Sequence, residues 1–175
     1  MKKLALIFGL VFCLGYTTTA QSNDTIKPFT YNHKHNIGLH AGLTTGIGIS
    51  YRYWPTKLGI QLTSIPIISN KRTFVSAGIT ALYTLNDGQK VDLYGYFGNH
   101  ILYSKTTKSI GITQPGQPTT IIKESTNYNV GVGFGFKIDI NQDLNFNLQA
   151  GYGVYVGTHT IATLDAAIGL YYSFN

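Results

Sequence analysis

The chain carries few groups able to do chemistry: five histidines, seven carboxylates and one cysteine among 175 residues, beside 13 lysines and arginines. The histidines come first. His33 and His35 alternate and His40 follows. Three imidazoles so close in sequence could hold a transition metal weakly. Exposed tail residues are the plainer reading, so neither a metal nor a cofactor is expected. His40 and Asp165 sit near opposite ends of the chain. If the first and last strands met, this His–carboxylate pair could move a proton. A second set, Arg52, Asp92, Lys137, Asp139 and Asp165, falls within regular strands on their less apolar face. Charges enclosed in a protein must pair, because an isolated buried charge is expensive. With His40 they are expected to form a polar network that fills an interior; the alternative is a gated proton or ion path. A third set, Lys71, Arg72, Lys105, Lys108 and Lys123, lies in turns and loops, where it could meet phosphate groups or simply keep loops soluble.

The elements that must position these groups are strands. From Tyr128 to Ile140 every second residue is apolar, and the residues between include Gly131, Gly133, Gly135, Lys137 and Asp139. After Asn141-Gln142-Asp143 the alternation resumes with Leu144, Phe146, Leu148, Ala150, Tyr152 and Val154. A period of two, a polar turn, and a period of two again spell a long β-hairpin. The same reading places strands at about 35–43, 47–54, 58–69, 73–85, 90–103 and 160–174. Asp87-Gly88 is the strongest turn signal. Pro66 breaks the phase of the third strand, so a bulge or an early end is expected there. Residues 104–125, with Pro115, Pro118 and many threonines, read as the long loop and as the natural place for an extracellular partner. Eight antiparallel strands result, with no amphipathic helix and no second domain.

The ends and the composition set the compartment. Lys2-Lys3, an apolar run and a small-residue site ending at Ala20 read as a signal peptide over residues 1–20. Cys13 within that run is preceded by Phe12, not by the small residue a lipoprotein would need. A polar tail at 21–34 then leads into a barrel domain at 35–175. Removal of the signal leaves no cysteine, so neither disulfide nor thiol chemistry is expected. Charged residues are 11% of the chain, against about 25% in an average soluble domain. The net charge of +6, two units of which lie in the signal, gives no argument for nucleic acid.

An eight-stranded meander can close with its apolar face inward, as a soluble carrier, or outward, as a membrane barrel. Glycine on the less apolar face decides between them. Glycine on a water-facing strand contributes nothing, whereas inside a narrow barrel it leaves room for large neighbours. Arg52, Tyr94, Tyr96, Lys137, Tyr155 and Tyr171 are then expected to fill the lumen. Aromatics cluster toward strand ends: Tyr51, Tyr53, Trp54, Tyr83, Phe134, Phe136, Phe146, Tyr172 and Phe174 toward one rim, Tyr103, Tyr128 and Tyr152 toward the other. Two aromatic girdles suit the two faces of a bilayer. The expected fold is all-β, an eight-stranded antiparallel up-and-down transmembrane β-barrel. Its termini and short turns would be periplasmic, and the 104–125 loop outside.

With these features the chain resembles the small eight-stranded outer-membrane β-barrels of Gram-negative bacteria, a group that includes the outer-membrane protein A transmembrane domain, the X-type barrels and the PorT-like barrels. The final strand, Ile168-Gly169-Leu170-Tyr171-Tyr172-Ser173-Phe174-Asn175, is similar to their C-terminal insertion signal, except that Asn175 follows the aromatic. The resemblance implies residence in the outer membrane, contact with lipid and lipopolysaccharide, and recognition by the barrel-insertion machinery. It also implies a structural or interaction role through extracellular loops. A peptidoglycan-binding domain of the protein A type has no counterpart in the sequence. Two alternatives stay open: a small-solute or ion channel, and a lipid A-modifying enzyme of the kind that uses His with Ser. The His-x-Ser-Asn pattern of such deacylases is missing, and His100 is followed by Ile101-Leu102-Tyr103-Ser104. An enzyme is therefore not expected.

Overall fold

The computed structural model describes residues 34–88, 90–110, 119–157 and 159–175. The expected signal segment, Cys13, His33 and nearly all of the 21–34 tail lie outside them. Eight strands follow one another: β1 (His35–Gly42), β2 (Gly46–Tyr53), β3 (Leu58–Ile68), β4 (Arg72–Asn86), β5 (Val91–Ile110), β6 (Thr119–Asp139), β7 (Leu144–Val156) and β8 (Thr160–Phe174). Each pairs antiparallel with the next, and β1 pairs with β8 from His35↔Phe174 to Gly42↔Ala167. The ring is thus a closed up-and-down barrel, as the alternation required. Both described chain ends lie at one end of it, called here the terminal end. The opposite end is the hairpin end.

The polarity of the wall is inverted relative to a water-soluble protein. Outward residues such as Leu39 (68% exposed), Phe134 (61%) and Tyr152 (70%) are open, whereas Arg52 (1%), Gln61 (0%) and Asn147 (0%) are enclosed. An apolar exterior around a polar interior is the arrangement of a membrane-spanning barrel.

Two expectations about boundaries are corrected. First, residues 104–125 are mostly strand. β5 and β6 pair without interruption up to Ile110↔Thr119, and only 111–118 falls outside the described residues. The segment is rich in Thr, Ile and Lys. Its cross-strand pairs, including Lys105–Glu124 at 2.6 Å, hold a ribbon together in which Ile121 and Ile122 fall on opposite faces among polar neighbours. Second, Pro66 neither ends nor bulges β3, and it sits opposite Val75 with the register intact. Beyond Ser64, β3 pairs with β4 alone, because the β2–β3 ladder stops at Ile49↔Ser64. A proline is tolerated on such an edge. The register shift that does occur lies in β4, between Thr84 and Asn86.

β1 and β2 span eight residues each, against 15 for β4 and 21 for β6. The wall is therefore complete only in its terminal half. On the hairpin side, Ile65–Ile68 of β3 and Thr160–Ala166 of β8 pair with one neighbour each. A gap where two strands would fit separates them.

Candidate functional site: a turn seated in the lumen

The three-residue turn Leu43-Thr44-Thr45 between β1 and β2 does not cap the barrel. It folds into it. Thr44 and Thr45 are both completely enclosed. The carbonyl of Leu43 reaches the opposite wall, where it accepts hydrogen bonds from His100 Nδ1 (2.8 Å) and Asn129 Nδ2 (2.9 Å). The Ile47 N–H donates to Ser76 Oγ on β4 (3.0 Å), past the strand that would normally neighbour it. Ser76 Oγ lies 2.9 Å from His100 Nε2. With Nδ1–H donating to Leu43, the Ser76 hydroxyl donates to Nε2. Gly46 and Gly48 leave the turn at φ of 94° and 136°, values that L side chains rarely adopt.

Glycines of four successive strands form the seat. A Cβ at Gly78 would stand 2.5 Å from the Thr45 carbonyl oxygen, and one at Gly98 would stand 2.8 Å from that of Thr44. At Gly131 it would meet Thr44 Oγ1 at 2.3 Å, and at Gly153 it would meet Thr44 Cγ2 at 2.7 Å. The inward glycines were expected to make room for tyrosines and charges. That holds for Gly135, whose Cβ would lie 2.4 Å from the Tyr94 ring, and for Gly59 against Trp54. The seat for a stretch of backbone was not foreseen. The signal available was the brevity of β1 and β2 beside a glycine at one height of every facing strand.

The sequence-derived lumen residues all point inward, but they divide into separate groups. Asp165 accepts from Thr44 Oγ1 (2.5 Å), Tyr96 (2.7 Å) and Tyr155 (3.2 Å). His40 bonds Thr45 Oγ1 at 2.7 Å. The candidate His40–Asp165 pair therefore does not form; adjacent threonines of the turn take the two groups separately. Toward the terminal end, Arg52 donates to Gln61 Oε1 (2.7 Å) and to Asn147 Oδ1, and its guanidinium lies 4.1 Å from the centre of the Tyr171 ring. Asn145, Asn36 and Ser173 extend this amide network around the wall. At the terminal end, Lys137 lies 3.1 Å from both Asp92 and Asp139. In the β4–β5 turn beside it, the Asp87 carboxyl is raised above its ordinary value. Partial burial is the first cause and the Asp92 carboxylate the next, with Lys137 acting the other way.

Trp54 is not part of an outer girdle. It is 1% exposed and packs edge-on against Tyr94 at 5.8 Å inside the barrel. The rim aromatics that remain outside include His35, stacked between Tyr53 (4.9 Å) and Phe174 (5.6 Å). His35 faces out and His40 faces in, so the two cannot share a metal ion.

The basic set is dispersed. Lys105 is paired with Glu124, whose hydrogen bond and charge raise the ammonium pKa. Lys71 is in the β3–β4 turn. Arg72 and Lys123 flank Thr106 in register. The side chain of Lys108 lies outside the description.

No family model matches the chain, and no curated protein matches it. Among solved structures it is similar to the N-terminal β-barrel domain of Pseudomonas aeruginosa OprF, at 16% identity over 80% of this chain and 95% of that one, with a TM-score of 0.44. It is also similar to Neisserial surface protein A (13%, 80% and 94%, TM-score 0.45) and to Ail, the attachment invasion locus protein of Yersinia pestis (19%, 80% and 96%, TM-score 0.36). At such scores the likeness is loose, and the architecture rests on the strand ladder itself.

Proposed function

We propose that this chain is an integral outer-membrane protein that works as a plugged barrel. Its apolar wall holds it in the bilayer, and its lumen conducts no solute. Its role at the cell envelope is structural or interactive, through the projecting β5–β6 hairpin. The observation that carries the reading is the seated turn. Thr44 and Thr45 fill the lumen where four wall strands present only glycine, and Asp165, Arg52 and Lys137 with their partners fill it from there to the terminal end. An eight-stranded interior is in any case only wide enough for side chains. The terminal end is then periplasmic, and Tyr172 and Phe174, exposed on the outer face of β8, are available to the insertion machinery. Planar-bilayer recording of the refolded protein tests this: rare, small events are expected, and large steady conductance would defeat the plugged lumen in favour of a channel.

The Ser76–His100 contact is what an enzyme reading would use. Both residues are fully enclosed, and Ser76 Oγ already takes the Ile47 N–H, which supports a brace for the turn over a nucleophile. Lipid A mass spectra are expected to be identical with and without the protein. A mass change abolished by His100→Ala or His40→Ala would reverse that view.

A further inference from the structure

Above the seated turn the inner face changes character. The inward positions are those in phase with Thr63, Ser76, His100 and Asp165, all enclosed. Continuing that phase toward the hairpin end brings Ile65 and Ile67 on β3, Phe74 on β4, Leu102 on β5 and Ile161 on β8 to the inside, apolar on the β3 side and interleaved with Ser104 on β5, Asn127 and Ser125 on β6 and Thr163 on β8. Below the turn the same phase carries Arg52, Gln61, Asn145 and Asn147. Ile67 (50%) and Ile161 (57%) are open, so the cup they line is not filled by the described residues. Its floor is Leu43-Thr44-Thr45. Its side is the gap between β3 and β8, about 14 Å across if two strand positions are vacant. The gap is flanked on the outside by Ile68 (78% exposed) and Leu164 (68%), so it opens into the apolar, lipid-facing wall. These two edges lie at and beyond the Tyr103 and Tyr152 girdle, where lipid headgroups can supply the polar partners that their backbone groups need.

One inward step above Phe74 on β4 is Arg72, and on β6 the same height is reached by Lys123. Both are exposed, and both are register partners of Thr106. Their Cα atoms stand about 10 Å apart, two strand spacings. At and above the turn, the one carboxylate in phase with the inner face among the described residues is Asp165 at the floor, which already holds three hydroxyls. Glu124 is in the opposite phase and is taken by Lys105.

We infer that this cup binds one phosphorylated membrane lipid. A hydrocarbon chain passes through the β3–β8 gap onto Ile65, Ile67, Leu102 and Ile161, and the phosphate lies between Arg72 and Lys123. The ester and hydroxyl groups of its headgroup supply partners for the strand edges. The inference rests on the membrane-barrel reading and gives its basic residues an interior task. Lys105, on the outer face, takes no part.

Native mass spectrometry of the full barrel in maltoside micelles tests it, with phosphatidic acid and phosphatidylcholine of the same chains as probes. Phosphatidic acid is expected to be retained one per barrel, with phosphatidylcholine retained about tenfold less. Arg72→Gln with Lys123→Gln is expected to lower phosphatidic acid retention about tenfold, and Ile67→Asp to lower it as well, whereas Lys105→Gln leaves it unchanged. Equal retention of the two lipids, indifference to the Arg72/Lys123 pair, or equal competition by glycerol 3-phosphate would overturn the inference. Nitroxide labels in phosphatidylcholine vesicles that also contain phosphatidic acid separate its failure from failure of the barrel reading. Leu148→Cys, on the outer wall, is expected to be open to oxygen and closed to a water-soluble nickel complex, and Ile161→Cys to behave likewise. Ile161→Cys open to nickel, or closed to both probes, sinks the lipid cup and leaves the barrel standing; Leu148→Cys open to nickel sinks both.

Discussion

Gly131→Ala is the sharpest perturbation of the seated turn. The new methyl would stand 2.3 Å from Thr44 Oγ1, 2.7 Å from Thr44 Cβ and 2.8 Å from Thr44 Cγ2. None of these is the end of a long flexible side chain, so the turn itself must move. Overpacking of this kind costs about 1–3 kcal/mol. Displacing Thr44 also breaks its hydrogen bond to the Asp165 carboxylate, worth about 1.5–3 kcal/mol. A loss of about 3–5 kcal/mol is expected. With a urea dependence of about 2 kcal/mol per molar, the midpoint falls by roughly 2 M. The assay is urea unfolding in lipid vesicles, followed by the gel mobility of unboiled samples. Gly95→Ala is the control within the same sheet. Its methyl meets nothing closer than 3.8 Å, so the variant keeps its stability or gains a little. Thr44→Gly removes the atoms the methyl collides with, and in the Gly131→Ala background it recovers part of the loss, a coupling of about 1–2 kcal/mol. Equal midpoints for Gly131→Ala and Gly95→Ala would refute the seated turn.

Three further outcomes follow, two from the lumen and one from the β4–β5 turn. Arg52→Ala strips the guanidinium from Gln61, Asn147 and Tyr171 and lowers stability by about 3–5 kcal/mol, and Arg52→Lys restores little because one ammonium cannot reproduce the planar fork; urea midpoints measure both. Asp165→Asn leaves three hydroxyls competing for one amide oxygen and costs about 2 kcal/mol by the same assay. Asp87 has a folded-state pKa above its unfolded value, so its contribution to stability is present below about pH 4 and is lost as pH rises through the folded value. Asp87→Asn is therefore expected to be more stable than the parent at neutral pH and equal to it in acid, and a parent that outlasts the variant at pH 7 would contradict the shift.

Strand number, phase and the inversion of polarity were legible because one face of every wall strand carries a row of apolar residues that must meet lipid. Arg52, Tyr94, Lys137 and Tyr171 were legible for the complementary reason: large polar groups in phase with glycine have nowhere to go but inward. The hairpin beyond Tyr103 was not legible. From Ser104 to Ile110 and from Thr119 to Ser125 the apolar residues do not alternate, with Ile121 and Ile122 adjacent, so pairing leaves no period of two to read. Nor was the pairing of Asp165 with Thr44. The two residues lie 121 positions apart, and a turn that enters a lumen has the same Thr-Thr-Gly spelling as one that caps it. Period fixes which face a residue takes, whereas contacts across a lumen depend on relative strand length and shear.

The hairpin that carries the seated turn is also the strand pair that closes the ring, since β1 meets β8 along its whole length. Once the β1–β8 ladder has formed, the turn is enclosed by wall on every side but the gap. Seating and closure are therefore one event in assembly, and the contacts that reward it join residues from opposite ends of the sequence. Such long-range closure is slow, because the entropy of bringing distant segments together is lost before any contact forms. The glycine seat thus sets a rate as well as a shape. A side chain there would obstruct the last step of folding, leaving an open six-stranded sheet, β3 to β8, with two free edges in the membrane.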